Sequence, residues 1–211
     1  MQVVSVQVGS ARTLPVGTRV IQTGIHKTPV DEIVLRAEGV ADDAVVNTKH
    51  HGGPDQAAYV YSAEDYSWWE QQLGRSLDPG TFGENLTIST IPDGLRIGDR
   101  LRIGPVLLEV TSPRIPCATF AVRMGESNWM RRFRDADRPG FYCRVLQPGT
   151  VRPGDPCELI SGPKENVSLR EMVSHYYASE ISIADIQHAL ASPIAMRSRV
   201  KYEAELSRAD G

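Results

Sequence analysis

Glycine and proline cut the first three quarters of this chain into pieces too short for most folds. Turn formers stand at residues 15–17, 52–54, 78–80, 92–94, 104–105, 148–149 and 153–154. Between them lie short apolar or alternating runs at 3–8, 20–25, 32–35, 58–61, 86–88, 100–103, 106–110, 143–146 and 156–160. Runs this short, bounded by Gly and Pro, suit strands better than helices. Residues 1–162 therefore predict a mainly β domain, a sandwich or a closed barrel, since closure removes exposed sheet edges.

Two helical stretches interrupt the β pattern. Ser62 followed by Ala63, Glu64 and Asp65 forms an N-cap with an acidic first turn. Tyr66, Trp69 and Leu73 follow at helical spacing, and Gly74 can end the helix. A second stretch covers about 118–134, with Gly125 weakening its middle and Asn128 able to re-cap it. Its aromatic and Met positions (Phe120, Met124, Trp129, Met130, Phe133) are expected to be core anchors.

The pattern changes after a linker at Ser161-Gly162-Pro163. Residues 163–211 predict a second unit of three short helices. Ser168 and Glu171 have the capping-box spacing, with Val167 and Met172 as a staple. Ser182 opens the next helix, and Pro193 suits the first position of the third. A unit this small needs a surface to pack on. That surface is either the β domain or a second copy of the chain, as in a homodimer.

The 211 residues carry 23 basic and 26 acidic side chains, a net charge of −3. Non-specific nucleic-acid binding needs a basic excess, so nucleic acid is not an expected partner. No apolar run approaches the ~18 residues of a membrane span. The first residues, MQVVSVQV, alternate like a strand and do not read as a signal peptide. Three cysteines without a signal peptide or a C-x-x-C spacing fit a reducing cytoplasm and neither a disulfide framework nor a zinc signature.

The charge is uneven. Residues 111–144 hold seven Arg against three acids, a local +4 inside an otherwise acidic chain. Arg forks match phosphate oxygens, so the island suits an anionic small ligand. Arg131, Arg132 and Arg134 read instead as a solvated helix face. Arg114 differs, because it stands in Ser112-Pro113-Arg114-Ile115-Pro116-Cys117-Ala118. Two prolines stiffen the backbone before the thiol. A Cys at a helix start with Arg nearby is expected to be largely thiolate, hence a nucleophile or a soft metal ligand. Cys143 and Cys157 have no such setting and read as core residues.

Two further segments could converge on an anion or an oxo group. One is Lys49-His50-His51-Gly52-Gly53-Pro54-Asp55-Gln56; the bland alternative is a polar loop. The other is Phe82-Gly83-Glu84-Asn85-Leu86, where Gly83 allows close backbone approach and Asn85 offers a donor and an acceptor. Phosphate-loop, dinucleotide, nucleophile-elbow and zincin motifs are absent.

Taken in order, these segments resemble the MOSC family, a domain also found at the C-terminus of molybdenum-cofactor sulfurases. The resemblance runs through Lys27-Thr28-Pro29-Val30, His51-Gly52-Gly53-Pro54-Asp55-Gln56 and Phe82-Gly83-Glu84-Asn85-Leu86. It continues through Ile97-Gly98-Asp99-Arg100, Pro113-Arg114-Ile115-Pro116-Cys117 and Gly140-Phe141-Tyr142-Cys143-Arg144. The size and helical tail are similar to the bacterial stand-alone subgroup associated with resistance to 6-N-hydroxylaminopurine.

The resemblance implies a β-barrel core and a bound molybdenum cofactor, a molybdopterin with a phosphate. Cys117 would be the metal ligand. The implied activity is reduction of N-hydroxylated bases to amines. Under that reading Arg114 and Lys27 balance the cofactor's charge, and Gln56, Asn85 and Thr119 complete the cofactor-binding set. His50 or His51 delivers protons. Electrons must come from an external reductase, because the chain has no Fe–S or flavin pattern. The alternative is a non-catalytic carrier of the cofactor, or of sulfur, acting through Cys117.

Overall fold

The computed structural model describes residues 1–48 and 51–209. Its strands are β1 (Val3–Gly9), β2 (Arg12–Val16), β3 (Arg19–Thr23), β4 (Lys27–Val30), β5 (Ile33–Arg36), β6 (Gly39–Val40), β7 (Ala58–Ser62), β8 (Leu86–Ile88), β9 (Arg100–Ile103), β10 (Val106–Pro113), β11 (Phe141–Gln147), β12 (Gly149–Val151) and β13 (Cys157–Ile160). Its helices are α1 (Ala63–Leu73), α2 (Ala118–Met124), α3 (Trp129–Asp135), α4 (Leu169–Tyr177), α5 (Ile183–Ala191) and α6 (Met196–Ala209). None of these helices is long and apolar enough to cross a membrane.

Eight strands form one mixed sheet in the order β13-β9-β10-β11-β7-β8-β1-β4. Only β7 and β8 run parallel, because the α1 crossover separates them. A three-stranded sheet (β12-β5-β6) and the β2–β3 hairpin complete the β structure. The sheet-rich fold agrees with the sequence pattern, but the closed barrel does not appear in the hydrogen bonding. Among the described residues no ladder joins β13 to β4. Instead the start of β1 meets the turn before β13 through a Gln2–Pro156 bridge and Val3 N–H donating to Asp155 O at 2.9 Å. The Cys157 N–H at the start of β13 also donates to Met1 O at 2.9 Å, so a few backbone bonds join the starts of β1 and β13 at one rim without a continuous ladder.

The helix ends follow their capping residues. The Ser62 hydroxyl accepts the Asp65 N–H at 3.0 Å, and Gly74 ends α1 in the left-handed conformation. Gly125 does more than weaken a long helix: it ends α2, and α3 starts afresh after Asn128. Ser168 and Glu171 form the expected capping box. The third tail helix begins later than Pro193 suggests. Ser192 instead ends α5, and its hydroxyl accepts the Val167 N–H at 2.8 Å, leaving Ile194 and Ala195 buried before α6 starts.

The interior has two parts. One is aliphatic and runs beneath the main sheet, where β10 is buried along its whole length. Val167, Leu169, Met172, Ile186, Ala189, Ile194 and Tyr202 from the tail belong to this same core. The other part is aromatic, built from Tyr59, Tyr61, Tyr66, Trp69, Phe82, Phe120, Trp129 and Phe133. It fixes α1, α2 and α3 against β7. Phe120, Met124, Trp129 and Phe133 are the core anchors expected, whereas Met130 is 44% exposed and anchors nothing.

Candidate functional site

β10 leads directly to the site. It is flanked by β9 and β11 and ends at Pro113, so the next four residues leave the sheet at a fixed place. The chain runs through Arg114, Ile115 and Pro116 to Cys117, which N-caps α2 with extended backbone. Arg114 is buried at 6% exposure, whereas Cys117 is half-buried.

Arg114 lies between aromatic faces. Its guanidinium carbon stands 4.7 Å from the Tyr59 ring centre and 4.4 Å from that of Phe120. No carboxylate pairs with it among the described residues, and its buried Nε has no hydrogen-bond partner. Burial opposes the charge, but Tyr142, Tyr59, Cys117 and Glu84 around it raise the net pKa, so the group stays cationic. Gly83 closes against it. That residue has φ of +75°, and an added Cβ would meet Ile25 at 3.1 Å and an Arg114 terminal nitrogen at 3.5 Å.

A cavity of about 200 Å³ opens beside these groups and is lined by Lys27, Asp43, Asn85, Arg114, Cys117 and Tyr142 among others. A second cavity of about 480 Å³ lies on the tail side of the sulfur. The two share Asn47, His51, Gln56, Cys117, Thr119 and Tyr142 as lining residues. Cys117 therefore stands at the boundary of two chambers.

Of the expected site residues, Lys27, Gln56, Asn85, Arg114, Thr119, His51 and Cys117 all line the first cavity. His50, with Lys49, lies outside the described residues. The geometry changes how two of them act. Lys27 is ion-paired with Asp43, a carboxylate the sequence reading did not single out. Burial lowers the Lys27 pKa, and Asp43 works against that shift. Asn85 is fully engaged: its Oδ1 accepts the Tyr59 N–H at 3.2 Å and its Nδ2 donates to Asp43 at 3.0 Å. Lys27 and Asn85 thus brace the floor through Asp43, and Arg114 is, among the described arginines and lysines lining this cavity, the cation without a carboxylate partner. Tyr59, Phe120 and Asp43 carried no motif; their roles arise from contacts between distant segments.

Beneath this floor, Glu84 is completely buried. Its Oε1 accepts from Tyr66 at 2.6 Å, Gly80 N–H at 2.7 Å and Thr87 at 3.0 Å, while Oε2 has no partner. Burial raises its pKa against the pull of these donors. Cys143 and Cys157 are the core residues expected. Burial pushes the Cys143 thiol well above the ordinary range and that of Cys157 up to about 11. Arg131 and Arg134 are exposed on α3 as expected, but Arg132 is not part of a solvated face. It is half-buried, donating to the Glu126 carboxylate at 3.0 and 3.2 Å and to Gln72 O at 2.6 Å, which ties α3 to α1.

A family model for the MOSC domain matches residues 47–158, a span that contains His51, Asn85, Arg114 and Cys117. The uncharacterized protein YflK of Bacillus subtilis is 34% identical over 207 residues, covering 97% of this chain and 89% of that protein. This chain belongs to the MOSC family. The crystal structure of YiiM from Geobacillus stearothermophilus superposes with a TM-score of 0.79 at 28% identity, covering 97% of this chain and 98% of that one. A Gibberella moniliformis protein named reductase is 30% identical over 169 residues. That match covers 77% of this MOSC chain but 30% of the fungal protein. The YiiM likeness extends past the matched domain into the helical tail, so tail and domain together form the compared unit.

Proposed function

We propose that this MOSC protein is a molybdenum-cofactor-dependent reductase that converts N-hydroxylated compounds, such as 6-N-hydroxylaminopurine, to amines. The overall change is R–NH–OH plus two electrons and two protons giving R–NH₂ and water. An external electron-donor reductase would supply the electrons, in the cytoplasm. The fungal relative's name supports a redox role. The observation that carries the reading is Arg114: a buried, cationic guanidinium with an unpartnered nitrogen, aimed beside a half-buried sulfur.

The residues fit the cofactor. A buried cation without a counter-ion is costly and implies an anion that completes it. Arg can bind a phosphate through a fork that Lys lacks. Among the described residues no three His, Cys, Asp or Glu side chains cluster as a metal site. Among the described residues lining the first cavity, Cys117 is the one thiol, which suits a metal arriving with its own dithiolene donors. When bound, the molybdenum cofactor supplies the two-electron chemistry.

The chain's own residues do the rest. Arg114 holds the anionic group, Tyr59 and Phe120 fix its plane, and the Lys27–Asp43–Asn85 floor keeps the chamber open. Cys117 presents its sulfur at the chamber boundary. His51 lines both chambers, where an imidazole can carry a proton near neutral pH.

Metal and pterin analysis of wild type beside Cys117→Ala tests the proposal. Wild type is expected to carry molybdenum and to reduce 6-N-hydroxylaminopurine with an artificial electron donor. The variant is expected to keep its melting temperature and lose turnover. Equal activity in both would overturn the ligand role of Cys117.

A further inference from the structure

The larger cavity adjoins Arg114's chamber, sharing Cys117 with it, and the tail builds one of its walls. Met172 and Tyr176 come from α4, while Ala195, Arg197, Ser198, Lys201 and Tyr202 come from α6 and the turn before it. At about 480 Å³ it falls within the ~300–1,000 Å³ usual for small-molecule sites. Its lining has a definite chemical bias. Tyr142, Tyr176 and Tyr202 offer ring surfaces, and Met172, Ile115 and Pro116 add apolar area. Arg197 and Lys201 bring two positive charges, and no carboxylate stands among the described residues that line it. Among the described residues Arg197 bonds neutral oxygens: Thr48 O at 2.9 Å, Gln56 Oε1 at 3.3 Å and His51 O at 3.5 Å. Among the described residues Lys201 meets one acid, the half-buried Glu205, at 3.7 Å. A lone i,i+4 pair this long with a largely exposed lysine neutralises little.

We infer that this cavity is the substrate chamber and that α4 and α6 set its specificity for a planar N-hydroxylated heteroaromatic ring carrying an anionic group. The inference rests on the reductase reading for the word N-hydroxylated, but the chamber's preference for an aromatic anion stands on its lining alone. Tyr176, more than half exposed at the cavity mouth, can cover the ring, while Lys201 and Arg197 receive the anion. The N–OH end would then point to the boundary that Cys117 shares with the first chamber.

Two measurements test this. The first is calorimetric titration of the purified chain with adenosine 5′-monophosphate and with adenosine, which needs no turnover. The monophosphate is expected to bind at least tenfold tighter. Lys201→Glu is expected to abolish that preference, and Arg131→Glu, on the solvated face of α3, to retain it. The second is steady-state reduction of N6-hydroxyadenosine and its 5′-monophosphate, where the same preference is expected in KM. Equal affinity for the two titrants in wild type would overturn the inference, as would loss of preference in Arg131→Glu. Preferential binding without turnover of any N-hydroxylated compound would uphold the chamber and count against the reductase reading. Turnover without preference would do the reverse.

Discussion

The guanidinium of Arg114 rests 4.4 Å from the centre of the Phe120 ring, and the two residues are separated in sequence by the thiol of Cys117. One short segment therefore supplies a cation, the ring that holds it flat and a sulfur. Tyr59 on β7 adds the second ring. The arrangement fixes a charge in a place where water cannot fully solvate it.

Arg114→Met should remove that charge while keeping most of the volume. Molybdenum content is expected to fall at least tenfold. Stability is expected to hold or rise, because the variant deletes an unpaired buried ion rather than half of a pair. Metal analysis alongside urea denaturation checks both halves. A variant that keeps its molybdenum would remove Arg114 from the cofactor site.

Glu84 predicts a pH dependence. Its folded pKa lies above the ordinary value of 4.5, chiefly through burial. The neutral acid is therefore favoured in the folded state. Its stabilising contribution is complete below about pH 4.5 and is lost as pH rises through the raised folded value. Glu84→Gln cannot ionise, so its stability relative to wild type should climb across that window. Parallel stability curves for the two proteins between pH 4 and 8 (roughly the range where folded domains are measured) would contradict this.

Arg197 ties α6 to the loop that carries His51 and Gln56. Arg197→Ala should loosen that loop without unfolding the protein. Amide hydrogen exchange at His51 and Gln56 is expected to quicken, while global stability falls by about 1 kcal/mol. Unchanged exchange at both amides would show that the loop holds its place without α6.

The three thiols should separate by reactivity. Cys143 and Cys157 are buried with raised pKa values, while Cys117 reaches both cavities. An aromatic disulfide reagent is expected to titrate one thiol quickly in the native protein and none quickly in Cys117→Ala. Fast reaction of two or three thiols would show that the core opens around Cys143 or Cys157.

Much of the fold was legible because local chemistry dictates it. The strands at 86–88 and 100–103 appear at the expected bounds, and the Ser62, Ser168 and Ser182 caps hold their helices. The sequence pattern omits the short strands β2, β4, β6 and β12: β4 and β12 are defined by partners distant in sequence, while β2 and β6 pair with the adjacent β3 and β5 but carry little apolar pattern of their own. Pro193 misled for a related reason. A proline suits a helix start, but the burial of Ile194 and Ala195 against the core delays α6 to Met196.

The sequence by itself determined where strands break, where helices are capped and that a proline-braced segment ends in a thiol. These depend on backbone torsions and on neighbours a few residues away, which travel with the chain. Only the tertiary structure decided that Asp43 would bind Lys27, that Tyr59 and Phe120 would enclose Arg114, and that α6 would wall a second chamber beside Cys117. Those outcomes require segments up to about 150 residues apart to meet, and a pairing across that distance is fixed by packing and charge rather than by any local pattern.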